Sequence, residues 1–230
     1  MAGRYIATMP AAAKFAVLFD LDGTLLDSIG LLLECMEYAF AERALVPSRV
    51  LWTAGIGTPL RDQMRDFSVA EHEIESLVER YRVHQHVNLE RLTSLFPGAR
   101  DTVMWARDAG VHVGVVTSKG RGMTRRSLAH VGLLEAFDII ITADDTIRHK
   151  PDPMPVWQAL RALGVPPERA LFVGDSTHDM RAGRAAGTHT GAALWGPFSR
   201  EQLAETDPTY WLGTLAEVSP LVETLRVSAR

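Results

Sequence analysis

Short apolar runs recur along the chain, each bounded by glycine or polar residues, and stretches of helical periodicity lie between them. "FAVLF" (residues 15–19) is the first run; residues 111–117, 137–143, 170–175 and 188–194 follow, and "TYWLG" (209–213) reads as a weaker sixth. Runs rich in Val, Ile and Phe without polar alternation are how strands covered on both faces read. Residues 98–110, 123–131, 154–163 and 179–186 read as helices, and Gly110, Gly132, Gly164 and Gly187 fall where each should stop. Strand and helix in alternation predict an α/β fold, a Rossmann-like doubly wound parallel sheet.

One interval breaks the rhythm. Between Ser28 and Phe96 there is no strand-like run, whereas residues 29–44, 59–67 and 70–92 have helical patterning. The expected organisation is a core of residues 1–27 and 96–230 with an inserted helical cap of residues 28–95. Such an insertion would sit over the end of the first strand, where open α/β sheets bind their ligands.

That strand ends on "FDLDGTLLDS", with Asp20 and Asp22 one residue apart. A carboxylate pair repels itself and is costly to desolvate without a cation or a proton. Three more polar clusters follow predicted strands: Thr117, Ser118 and Lys119; Lys150 in "RHKPDP"; and Asp175, Ser176 and Asp179 in "GDSTHDM". In a parallel sheet these loops share one edge, so carboxylates, hydroxyls and a lysine should converge. Carboxylates without thiolates suit a hard cation, and Mg²⁺ is the natural choice. A lysine and hydroxyls beside a cation suit a phosphate. Gly23 lets the backbone approach closely after the pair. The convergence is a candidate phosphoryl-transfer site. A turn after the strand would let Asp20 face phosphorus and Asp22 the ester oxygen. One carboxylate could then attack, giving an aspartyl-phosphate, and the other could move the proton.

Composition narrows the partners. The 230 residues carry a net charge of −4, which argues against a general nucleic-acid binder. No apolar run is long enough to span a membrane. One cysteine, Cys35, excludes an intrachain disulfide and makes a reducing, cytoplasmic location the default. Cys35 itself reads as a buried helix residue. Residues before Lys14 read as a loosely held tail without a secretory signal, and Met9 offers an alternative start. The expected partner is a small phosphorylated metabolite, with the chain a monomer or homodimer.

The four motifs together resemble the haloacid dehalogenase superfamily of phosphohydrolases. "FDLDGTLLDS", "VVTSKG", "HKPDP" and "LFVGDSTHDM" are similar to its four motifs in order and spacing, and a helical insertion after the first resembles members with a cap there. The resemblance implies that Asp20 is the nucleophile and a Mg²⁺ ligand. It implies that Asp22 is the acid/base with its carbonyl on the metal, and that Thr117 and Lys150 bind phosphate, with Ser118 beside them. Asp175 would be a metal ligand; Asp179 would support the metal's water shell or Lys150. Within the superfamily the chain looks most like phosphoglycolate phosphatases, with 2-phosphoglycolate and then pyrophosphate as the leading substrates. A phosphosugar mutase and a catalytically silent binder on the same fold are the alternatives. True dehalogenases lack the second aspartate, and a phosphonatase-type cap lysine is absent, since no lysine lies between Ser28 and Leu95. His149 stands where relatives have glycine, and Ser118 where many have asparagine.

Other residues have plainer readings. Thr117 and Ser118 double as helix-capping hydroxyls. Lys119 reads as a solvated lysine, and His84, His86, His149 and His178 as exposed. Arg61 reads equally as a cap contact to a substrate carboxylate and as an exposed helix arginine. Trp195, Trp211 and Phe198 read as packing residues.

Overall fold

The computed structural model describes residues 14–68 and 70–228. The tail expected before Lys14, and Met9 with it, lie outside the described residues.

Six parallel strands form the main sheet: β1 (Ala16–Phe19), β4 (His112–Val116), β5 (Ile139–Ile141), β6 (Ala170–Gly174), β7 (His189–Ala193) and β8 (Tyr210–Leu212). Their order is β5-β4-β1-β6-β7-β8. All six coincide with the apolar runs. The chain winds from β1 out to β4 and β5, then crosses back to β6 on the other side of β1, so the topological switch falls at β1.

Alternate β1 residues point to opposite faces. Val17 and Phe19 join Val113, Val115, Leu171 and Val173 in one core, covered by α5 (Ala99–Asp108) and α10 (Val218–Ser228). Ala16 and Leu18 join Val116 and Phe172 in another, covered by α7 (Met154–Leu163) and α8 (Thr177–Ala186). Gly164 and Gly187 close α7 and α8 in the left-handed conformation, as their positions suggested. Helix α6 (Arg121–His130) follows β4, and α9 (Arg200–Ala204) lies between β7 and β8.

Between residues 28 and 94 run four helices: α1 (Ile29–Phe40), α2 (Arg49–Ala54), α3 (Leu60–Asp66) and α4 (Glu71–Leu92). They share their own core, in which Trp52, Met64, Leu31, Met36 and Cys35 are fully buried. Burial pushes the Cys35 thiol up to about 12. The sequence reading misses one feature here. Leu26–Asp27 (β2) and Ser94–Leu95 (β3) pair antiparallel where the chain leaves and rejoins the sheet. Strands of two residues are too short to carry a periodic signal.

Candidate active site

Asp20 is the first residue past β1, and its backbone N–H donates to the Val173 carbonyl at 2.9 Å. Continued pairing with β6 fixes the carboxylate at the sheet edge, 5 % exposed. Lys150 reaches it from the loop after β5. Its Nζ donates to Asp20 Oδ1 at 2.7 Å, to Asp179 Oδ1 at 2.6 Å and to the Val116 carbonyl at 3.3 Å. The ammonium lies 5.9 Å from the centre of the Phe172 ring and is nearly fully buried. Burial opposes its charge, but Asp179 and Asp20 overcome that and raise its pKa above the ordinary lysine value.

Asp179 has a double task. Its Oδ2 accepts from the Ser176 N–H at 3.0 Å and from Ser176 Oγ at 2.6 Å, while its own N–H donates back to Ser176 Oγ at 3.2 Å. This capping box starts α8. With Lys150 on Oδ1, both Asp179 oxygens are committed.

Asp175 is placed differently. Thr24 Oγ1 donates to its Oδ1 at 2.5 Å, while its Oδ2 is buried without a hydrogen-bond partner. The turn after β1 comes very close. Gly23 sits at φ 90°, and a Cβ there would fall 2.5 Å from Asp175 Oδ2. Only glycine fits, on conformation and on space.

Asp20, Asp175 and Asp179 each offer an oxygen within 4.8 Å of the others. Carboxylates this close and this buried disfavour the charged forms of Asp20 and Asp175. Burial, with Asp179 and Asp22 adding to it, pushes Asp20 up to about 7 against the pull of Lys150. Burial, then Asp179 and Asp20, hold Asp175 well above the usual carboxylate range. An orphaned Asp175 oxygen and an oxygen-only donor set fit a hard divalent cation.

Asp22 points elsewhere. Its carboxylate receives Lys119 Nζ at 2.8 and 3.1 Å, and Ser28 Oγ at 2.6 Å. Lys119 is therefore not the solvated lysine expected; its side chain is 6 % exposed and paired across 97 positions of sequence. Local composition cannot show such a pairing. Thr117 Oγ1 accepts from the Lys119 N–H at 3.2 Å. Neither Thr117 nor Ser118 caps a helix, since Gly120 is the N-cap of α6. Ser118 Oγ instead donates to the Gly57 carbonyl at 2.5 Å, tying the loop between α2 and α3 to the sheet edge.

A cavity of about 270 Å³ opens between this edge and the helical segment. Asp20, Asp22, Thr117, Ser118 and Lys119 line one side; Ile56, Gly57, Arg61, Tyr81, Arg82 and Gln85 line the other. Arg61 reaches the lining, but its guanidinium pairs with Glu71 and Glu75. Of the histidines expected to be exposed, only His86 is; His84, His149 and His178 are half-buried, and burial lowers the His178 pKa. The metal-capable group among the described residues contains no histidine, so the site is not a zinc site of the His type. Trp195 does pack as expected, its Nε1 donating to the Thr24 carbonyl at 2.9 Å, and Phe198 is buried. Sequence reasoning also passed over Thr24 and Ser28, the hydroxyls that hold Asp175 and Asp22. Both lie within the quoted aspartate stretch.

The six-stranded parallel sheet and the carboxylates at its switch point define a hydrolase of a known type. The model of the haloacid dehalogenase-like hydrolases matches residues 17–193, and the chain belongs to that family. It is an enzyme of the hydrolase class. The chain is 34% identical over 217 residues to pyrophosphatase PpaX of Anoxybacillus flavithermus, covering 93% of this chain and 98% of that one. It is 31% identical over 220 residues to pyrophosphatase PpaX of Bacillus cereus, covering 92% and 98%. A haloacid dehalogenase-like hydrolase from Bacteroides fragilis has a similar solved structure, with a TM-score of 0.83 at 25% identity over 89% of this chain and 99% of that one.

Proposed function

We propose that the chain is a Mg²⁺-dependent phosphatase that takes a phosphoryl group from a small metabolite onto Asp20. The observation that carries this reading is the Lys150 clamp. One buried ammonium holds Asp20 and Asp179 at 2.7 and 2.6 Å, beside an Asp175 oxygen that has no partner. Such a site holds its nucleophile in place and leaves one position for a cation.

Asp20 and Asp175 would hold Mg²⁺, which supplies charge neutralisation for the phosphoryl oxygens when bound. Asp179, with both oxygens committed, orients Lys150 rather than binding the metal directly. Lys150 fixes the Asp20 carboxylate, so its free oxygen can attack phosphorus in line. The bond from phosphorus to the leaving oxygen breaks, and Asp22 delivers a proton to that oxygen. Asp22 then takes a proton from water, whose oxygen displaces Asp20 from phosphorus and releases inorganic phosphate. Thr117 binds a phosphoryl oxygen; Ser118, whose hydrogen goes to Gly57, has a secondary part. Residues 28–95 act as a cap that excludes water from the core of residues 1–27 and 96–230. No helix among the described residues is long and apolar enough to cross a membrane. Pyrophosphate leads the substrate candidates because the relatives at 31–34% identity carry that activity in their names.

The test is inorganic phosphate release from pyrophosphate, 2-phosphoglycolate, sugar phosphates and nucleoside monophosphates, with Mg²⁺ and with chelator. Release is expected only with Mg²⁺, and Asp20→Asn should lower kcat by roughly 10⁴-fold or more. Transfer to a second substrate hydroxyl instead of water would identify a mutase. No turnover of any compound would leave a silent binder.

A further inference from the structure

Lys119 is a buried charged group that no step above uses. It lies in the loop after β4, and its side chain is 6 % exposed. Its Nζ donates to both oxygens of Asp22, at 2.8 and 3.1 Å. Its backbone is pinned as well. The N–H donates to Thr117 Oγ1 at 3.2 Å, and the carbonyl accepts from the Ala143 N–H at 3.2 Å and from Thr124 Oγ1 at 3.4 Å. Lys119 and Asp22 both line the cavity.

A buried ion pair is weak as a stabilising device, because taking two charges out of water offsets much of their attraction. Holding a lysine in one rotamer costs up to about 2 kcal/mol of side-chain entropy in addition. What the pair fixes is a direction. The Asp20 N–H continues the pairing of β1 with β6, so the sheet itself aims that carboxylate. Asp22 lies two residues further on, in the turn. Its carboxylate is aimed by Lys119 from the sheet edge and by Ser28 from the start of α1. Each aspartate of the pair therefore has its own lysine: Lys150 from the loop after β5, and Lys119 from the loop after β4. Both Asp22 oxygens accept from Lys119, and the acceptor-only carboxylate is the form that can take a proton from water.

We propose that Lys119 is a positioning residue for the second half of the reaction, holding the Asp22 carboxylate against the water that attacks phosphorylated Asp20. The inference rests on the phosphatase reading above. In that step the water oxygen bonds to phosphorus as the bond from phosphorus to Asp20 breaks, and the water proton goes to Asp22. Lys119 touches neither reacting bond. Its loss frees Asp22 to rotate, and a misplacement of about 1 Å costs on the order of 100-fold in rate. The first half can be isolated with p-nitrophenyl phosphate or acetyl phosphate. Attack by Asp20 releases nitrophenolate or acetate with the bonding electron pair, and neither anion needs a proton from Asp22.

The experiment follows the phosphoenzyme by rapid acid quench, with these two donors and Mg²⁺. Lys119→Met should slow its decay by roughly 10–100-fold and leave its formation within about twofold, so that phosphoenzyme accumulates. In the steady state kcat and KM should then fall together while kcat/KM holds. Lys119→Arg, which keeps a cation opposite Asp22, should restore part of the decay rate. Lys119→Gln serves if the methionine variant does not fold, with the same pattern at smaller size. Decay as fast as in the wild type, or formation slowed as much as decay, overturns the positioning role and leaves the phosphatase reading standing. If the wild type forms no phosphoenzyme and releases no phosphate from any compound, the phosphatase reading falls and the positioning role with it.

Discussion

On the sheet side of the cavity, the charged groups have partners already in place: Lys150 spans two aspartates, Asp179 starts a helix while it holds Lys150, and Asp22 is gripped by Lys119 and Ser28. On the helical side, Gln85 and Tyr81 are also buried, but the side chains they bring to the cavity are neutral. The first wall is organised before any substrate arrives. The second presents neutral polar groups to what enters. Reaction chemistry favours the first arrangement, because groups that need not reorganise stabilise a transition state most. Selection among substrates favours the second, because a donor left unpaired by the wrong ligand penalises that ligand.

The sharpest way to break this contrast is Lys150→Met. It strands Asp20 and Asp179 in a dry site without their cation, which should cost about 3–5 kcal/mol of stability. The deficit should shrink as pH falls below about 7, because Asp20, relieved of the Lys150 charge that holds its pKa down, takes up a proton. A thermal unfolding series across pH checks this; a small deficit that ignores pH would show that the sheet wall is not built around its lysine.

A second prediction concerns metal and proton as rivals. Asp20 is pushed up to about 7 when folded and has its ordinary value when unfolded. The folded chain thus retains a proton that the unfolded chain loses, and this part of the stability falls as pH rises from about 4 to about 7. A cation can replace that proton. Mg²⁺ should therefore raise the unfolding temperature more at about pH 8 than at about pH 5. Equal shifts at both pH values would detach the metal from Asp20.

The smallest effect tests the link between the walls. Ser118→Ala removes the hydrogen bond to the Gly57 carbonyl. A net loss of about 1 kcal/mol corresponds to a roughly fivefold fall in kcat/KM. An unchanged value would mean that this bond plays no part in holding the helical segment over the site.

Much of the sheet wall could be read from sequence, and less of the other. Asp20, Asp175, Lys150 and Thr117 follow strands, and a parallel sheet gathers the ends of its strands by topology alone. The Lys119–Asp22 pair joins residues 97 positions apart through the conformation of two loops, which no local pattern encodes. Arg61 drew notice because it follows a glycine-rich loop, but two glutamates on α4 engage it. Tyr81, Arg82 and Gln85 sit in a plainly helical stretch. Which of its faces looks into the cavity depends on how α4 lies over the sheet, a tertiary fact.

The antiparallel pairing of Leu26–Asp27 with Ser94–Leu95 has an evolutionary consequence. It brings the two attachment points of the helical segment within one strand spacing, about 5 Å. Replacement of the segment by a tight turn, a longer helical bundle or an unrelated module would leave the neighbouring strands in register, since a hairpin junction needs only its two ends to meet. The sheet with its aspartates is therefore a chassis on which lineages can exchange the recognising part wholesale, and relatives with the same chemistry can diverge in what they accept without a change to a residue of the sheet.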